Sequence, residues 1–324
     1  MLTLPVCVLH FDPENEQSVI KITLNYAFDQ AKRDTEQKDD VVFLGDSRLI
    51  SAIDPGMLNA CQNFQFTNLS AGGASFLESY YLLKYYLEHH DDPGIVVISF
   101  VPSIHFFEST IFGHFGLPTI LNFKPIDLLE TGYLSNYFSL NLDRNRNTLL
   151  RLLKTCAGKD TLQINRPFPF FGVTSEEEIK TLYHQEKGFL IWSRDPDRHY
   201  IKNAVFRWDK KARDENRTLD PREVRYFKKL MQFIKKNHLR SAFLLLPVHE
   251  GSKEVYQSYT RKYWDPFVQQ FHFDILDNVP QFYDYTLLVD DSHLNTSGRG
   301  KYNRYLIQSG LWDEILDSAS MRSE

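Results

Sequence analysis

The chain has 324 residues, 42% of them hydrophobic and 24% charged, which suffices for one large α/β domain with an insertion or for two modest domains and excludes wholesale disorder. Its formal net charge of -5, from 37 basic and 42 acidic residues with no long basic tract, argues against nucleic acid or an anionic membrane surface as a partner. The three cysteines, Cys7, Cys61 and Cys156, form no CxxC pair and no zinc pattern, and no apolar run reaches the ~18 residues of a membrane-spanning helix. Residues 1–9 are apolar, but they are too few for the core of a secretion signal and lack a basic start. That leaves two readings, a cytoplasmic protein or one whose export segment lies upstream of this sequence. Aromatic residues make up 14% of the chain, which a packed core explains first and an acyl- or sugar-lining surface second.

In chain order, residues 20–38 carry helical spacing, and Val41-Val42-Phe43-Leu44-Gly45 reads as a buried strand. The chain should turn into a helix at Asp46-Ser47-Arg48. Residues 64–69 form a second strand ended by Ala71-Gly72-Gly73, residues 76–89 a helix, and Ile95-Val96-Val97-Ile98-Ser99-Phe100 a third strand. Residues 104–220 break this alternation with Gly and Pro signals and scattered helical pieces, the reading expected of an inserted cap. Alternation resumes with a helix over 221–237, a strand over 242–247, a helix over 255–271, a strand over 273–277 and a last helix over 298–310. Five short strands separated by helices predict a three-layer α/β sandwich with a doubly wound, parallel five-stranded sheet. Residues 1–103 and 221–324 would be its two parts. Ligands of such sheets sit beyond the carboxyl ends of the strands.

Gly45-Asp46-Ser47 falls at such an end. A serine there faces the crevice at the start of a helix, where backbone N–H groups can stabilise an oxyanion. An ordinary Asp or Ser helix cap is the competing reading. Asp290-Asp291-Ser292-His293 precedes the last helix. Serine is a weak nucleophile until a base takes its proton, and histidine suits that role near neutral pH. Asp290, three positions upstream, can fold back to orient His293, with Asp291 the weaker choice; a polar cap of the final helix competes here too. Gly73 can offer its N–H to an oxyanion without a side chain in the way. Asn68 closes the same strand end, and Ser103, His105 and His249 also follow strands on that edge, where they would contact substrate. His89-His90-Asp91-Asp92 has the composition of a metal cluster but reads better as a solvated helix end. No metal site is expected.

Together these blocks resemble the SGNH (GDSL-like) hydrolase family: Gly45-Asp46-Ser47 its first block, Asn68 to Gly73 its second, Asp290-x-x-His293 its last. Phe43-Leu44-Gly45-Asp46-Ser47-Arg48-Leu49, Ile53-Asp54-Pro55, Asn68-Leu69-Ser70 and His293-Leu294-Asn295 look most like bacterial envelope SGNH proteins related to those of alginate O-acetylation and D-alanyl transfer. The resemblance implies a flavodoxin-like SGNH fold and a Ser47–His293–Asp290 triad with the Ser47 and Gly73 N–H groups as oxyanion hole. It further implies acyl chemistry on an envelope glycan, a membrane-bound acyltransferase as partner, and no cofactor. The family's third block supplies an oxyanion Asn after strand three, where this chain has Phe100-Val101-Pro102-Ser103. Loss of one such donor costs about 3–4 kcal/mol of transition-state stabilisation. A catalytically degenerate glycan-binding or assembly protein of the same fold is therefore the alternative. A nucleotide-binding protein is disfavoured because no phosphate-cradling glycine loop follows strand one.

Overall fold

The computed structural model describes residues 16–33, 38–99, 221–259, 281–289 and 293–313, with positions 181, 261, 265, 269, 274–276 and 316. Asp290, Ser103, His105, Cys7 and Cys156, and all of the 104–220 segment but residue 181, lie outside the described residues. Cys61 is a free, exposed thiol. Among the described residues no helix is long and apolar enough to cross a membrane.

The class is mixed α/β with a parallel sheet. Strands β1 (Val41–Gly45), β2 (Phe66–Asn68), β3 (Ile95–Ser99), β4 (Ser241–Phe243) and β6 (Asp274–Ile275) pair in the order β2-β1-β3-β4-β6. All four pairings are parallel, with Val41 opposite both Phe66 and Ile95. Every residue of β1 and β3 is buried, which explains why both read as unbroken apolar runs: helices cover both faces. Successive side chains then divide by parity. Val42, Leu44, Val96, Ile98 and Phe243 join the core under helices α1 (Glu16–Lys32), α4 (Phe76–Leu87) and α5 (Pro221–Lys236). Val41, Phe43, Ile95, Val97 and Ala242 join the opposite core, under α2 (Ser47–Ala52), α3 (Pro55–Cys61) and α7 (Thr296–Gln308). Trp312 closes that second core edge-on against Phe43 and Phe66.

Some boundaries differ from the sequence pattern for local reasons. The first helix begins at Glu16 and ends at Lys32, short of residue 38. The apolar run 242–247 leaves the sheet after Phe243, although the Leu244 N–H still donates to the Ile98 carbonyl. Pro247, with no N–H, cannot extend a ladder. The chain instead builds a separate two-stranded sheet, β5 (Val248–His249) beside β7 (Phe282–Tyr283). Between them lies α6 (Lys253–Tyr259), which starts two residues before the predicted 255.

At the amino edge of the sheet, Asp39 accepts hydrogen bonds from Thr67 Oγ1 at 2.8 Å and from Tyr86 Oη at 2.9 Å. Burial raises the Asp39 pKa above the ordinary carboxylate value, more than these hydroxyls lower it. The carboxylate raises the Tyr86 hydroxyl in turn, after burial itself. A carboxyl whose folded pKa is raised costs stability when ionised, and the cost is relieved as pH falls through the folded value. Wild type should therefore gain stability relative to Asp39→Asn as pH drops below neutral, down to about 3.9, where the unfolded carboxyl titrates too. Urea unfolding of both chains between pH 7.5 and pH 4 checks this; a gap moving the opposite way would contradict it.

Candidate active site

The nucleophile turn is built by its own residues. Asp46 caps α2 by accepting the Arg48 N–H at 2.9 Å, and its carboxylate also takes the Arg48 guanidinium through Nε at 2.9 Å and through Nη2. Asp46 and Arg48 are both buried, 6% and 4% exposed, so an ion pair brackets Ser47 on either side in sequence. Gly45 is required just before it: a Cβ there would stand 2.7 Å from the Ser99 carbonyl. The helix cap expected as the competing reading of Asp46 is therefore present, and it holds Ser47 at the first helical position, half-buried.

His293 reaches this turn from 246 positions away: its Nε2 lies 2.9 Å from Ser47 Oγ. Antiparallel contacts hold His293 in place. Leu288 bridges Leu294 antiparallel, and Val289 N–H donates to the His293 carbonyl at 3.0 Å. Asn295 secures the base of this segment, donating its N–H to Leu287 and Nδ2 to the Thr286 carbonyl, and accepting the Gly298 N–H as cap of α7. Only glycine fits at 298, because a Cβ would lie 2.1 Å from the Leu287 carbonyl oxygen. Residues 290–292, with the expected orienter Asp290, lie outside the described residues.

Helix α7 is fastened to the segment that follows Ser47. Fully buried Asn303 donates Nδ2 to the Ala52 carbonyl at 2.8 Å and accepts the Asp54 N–H at 3.0 Å, so one amide reads the backbone on both sides of Ile53. Arg299 stands 3.8 Å from the Asp54 carboxylate, and Gln62 Nε2 donates to the Ile307 carbonyl. Sequence reasoning missed Asn303. Its only signal is an amide on the otherwise apolar side of a helix, where an unpaired polar group would be costly.

The other edge of the site is the loop after β2. Asn68 is buried; its Oδ1 accepts the Ser70 N–H at 3.0 Å, and its Nδ2 has no partner among the described residues. The Leu69 and Ala71 N–H groups donate to the Phe43 and Gly45 carbonyls, Gly72 N–H to Thr23 Oγ1, Ala74 N–H to the Ala71 carbonyl, and Ser75 N–H to Glu78 Oε2. From 69 to 75, only the Gly73 N–H has no partner among the described residues, and Gly73 has φ +65°. The Ser47 N–H is likewise unbonded among them.

His249 lies in β5, 7% exposed, with Nδ1 accepting the Gly251 N–H at 2.9 Å. That bond fixes the proton of a neutral His249 ring on Nε2. His89 Nδ1 pairs with the Tyr85 carbonyl and His90 stacks on Tyr86, 4.4 Å between centroids. Among the described residues no group of three or more His, Cys, Asp and Glu is placed to hold a metal.

No protein-family model matches the chain, and no curated protein does. Among solved structures, it aligns with a "putative acylhydrolase" of Bacteroides fragilis at 10% identity and TM-score 0.36, over 93% of this chain and 100% of that one. It also aligns with a "putative platelet activating factor" of Streptococcus pneumoniae at 10% identity and TM-score 0.39, over 91% and 93%. Similarity at these scores fixes neither family nor activity. What the chain itself presents is a serine hydroxyl and an imidazole in hydrogen-bond contact at the carboxyl edge of a parallel α/β sheet.

Proposed function

We propose that the protein is an SGNH-type serine esterase or O-acyltransferase working through an acyl-enzyme on Ser47. The observation that carries this is the 2.9 Å contact between Ser47 Oγ and His293 Nε2. Two half-buried groups 246 residues apart meet where ligands of parallel sheets bind, and a serine needs such a base to become nucleophilic. A helix cap alone gives no reason for that pairing. The unbonded N–H groups of Ser47 and Gly73 add support as the pair of oxyanion donors.

In this reading Ser47 Oγ attacks the ester carbonyl carbon while its proton passes to His293 Nε2. The resulting oxyanion takes the Ser47 and Gly73 N–H groups. Collapse breaks the bond to the leaving alcohol, which receives the proton from His293. Water or a sugar hydroxyl then gives a proton to His293 and attacks the acyl carbon, and collapse breaks the bond to Ser47 Oγ, which takes that proton back from His293. In the same proposal Asp290 accepts a hydrogen bond from the His293 Nδ1–H throughout. The three-layer SGNH sandwich, the cap over residues 104–220 and substrate contacts from Asn68, Ser103, His105 and His249 belong to the same proposal.

An acylated envelope or extracellular glycan is the proposed substrate, because the local motifs resemble those of envelope acyl-transfer proteins. Lacking the usual oxyanion Asn, the enzyme would draw on binding energy from a large acceptor. The test offers p-nitrophenyl acetate, long-chain lipid esters and acetylated polysaccharide to wild type and Ser47→Ala. Weak aryl-ester turnover with deacetylation or acetyl transfer on the polysaccharide, both lost in Ser47→Ala, is the expected result. Efficient cleavage of lipid esters alone would replace the substrate class. No reaction, with Ser47 inert to a fluorophosphonate, would favour the degenerate glycan-binding alternative.

A further inference from the structure

Residues 71–74 form a turn closed by the Ala74 N–H on the Ala71 carbonyl at 3.0 Å, with Gly72 and Gly73 in its middle. Gly73 alone of the two has positive φ, the pattern of a type II turn. The peptide between them carries the Gly73 N–H. Type I and type II turns differ by a flip of this central peptide, which reverses the direction of that N–H. Two consecutive glycines restrain the flip least of all residue pairs. Something outside the turn must therefore select the orientation.

The bonds around the turn narrow the choice. The Leu69 N–H ties the chain to β1 before the turn, the Ala71 N–H does so at its first residue, and Ser75 ties it to Glu78 after it. At the corner between them the Gly72 N–H donates to Thr23 Oγ1 on another element at 2.8 Å, across 49 positions. Thr23 sits on α1 with 0% exposure, so water cannot replace its hydroxyl as acceptor. We infer that Thr23 is a positioning residue for the oxyanion loop, holding the Gly72 corner so that the Gly73 N–H is presented in one direction. This rests on the esterase reading above and adds to it a residue from α1.

The test uses Thr23→Val, which keeps the shape and removes the acceptor, and Thr23→Ser, which keeps the hydroxyl. Turnover of p-nitrophenyl acetate, Ser47 labelling by a fluorophosphonate, and hydrogen exchange of the Gly72 and Gly73 amides are followed by NMR and kinetics. Thr23→Val should lower kcat about tenfold or more, with KM little changed, since a misdirected donor weakens the transition state rather than substrate binding. Its Gly72 amide should exchange faster, and Thr23→Ser should recover most of kcat. A reactive wild type whose Thr23→Val variant keeps its kcat and its Gly72 exchange rate would overturn the inference alone. Equal impairment in Thr23→Ser would overturn it too, by tracing the effect to the missing methyl. A wild type inert to both reagents overturns the esterase reading, and this inference falls with it.

Discussion

Replacing His293 by alanine should lower ester turnover by roughly 10⁴-fold or more, with the fold intact. The imidazole touches Ser47 at 2.9 Å from a half-buried position, so its removal takes away the base without opening the core. Ser47→Ala should lose as much. The sharper expectation concerns the pair. If the two groups act as one unit, the double variant is no slower than either single one, because the second change removes nothing that still functions. Turnover of p-nitrophenyl acetate by the three variants, with circular dichroism to check folding, decides it. Independent, multiplying losses would show that the contact is not the working unit.

The second large effect is on stability. Arg48→Met should destabilise the protein by about 3–5 kcal/mol, because it strips the guanidinium from a buried carboxylate. Asp46 and Arg48 have side chains only 8% and 5% exposed, so solvent cannot take over the lost partner. Asp46→Asn in the Arg48→Met background should restore much of the loss. The uncharged amide oxygen still caps α2 by accepting the residue-48 N–H, and the buried charge that lost its guanidinium is gone. Urea denaturation of the wild type, the single variant and the double variant gives the comparison. If Arg48→Met alone melts like the wild type, the pair has no structural role at Ser47.

The parts of the fold legible in the sequence are those where one local rule dominates. Strands β1 and β3 are buried on both sides, so Val41-Val42-Phe43-Leu44 and Ile95-Val96-Val97-Ile98 announce themselves as unbroken apolar runs. Helix α4 carries its own start, a capping box in which Ser75 and Glu78 satisfy each other's backbone. Ser47 stands out because it follows a strand on the edge where parallel sheets bind ligands, and His293 because it closes an Asp-x-x-His block just before the last helix. Helices α2 and α3, six and seven residues long, are too short for periodicity to show, and only the caps Asp46 and Asp54 mark them. Strands β5 and β7 have two residues each, too few for any alternation. Thr23 and Asn303 were invisible for another reason. A single polar residue on a helix acquires meaning only from the distant backbone it meets, and no local pattern encodes the Gly72 N–H or the Ala52 carbonyl.

The fastening of α7 to the start of the chain also has a kinetic side. The contacts 47–293, 52–303, 54–303 and 62–307 span between 245 and 251 positions. Closing such loops is entropically costly and slow compared with docking neighbouring elements. Pairing β1 with β2 and β3, and packing α4 on them, needs only residues 41–99. During synthesis that subdomain is complete long before residue 293 exists. In the proposed mechanism the serine is therefore synthesised long before its base, and the two meet only once α7 has docked.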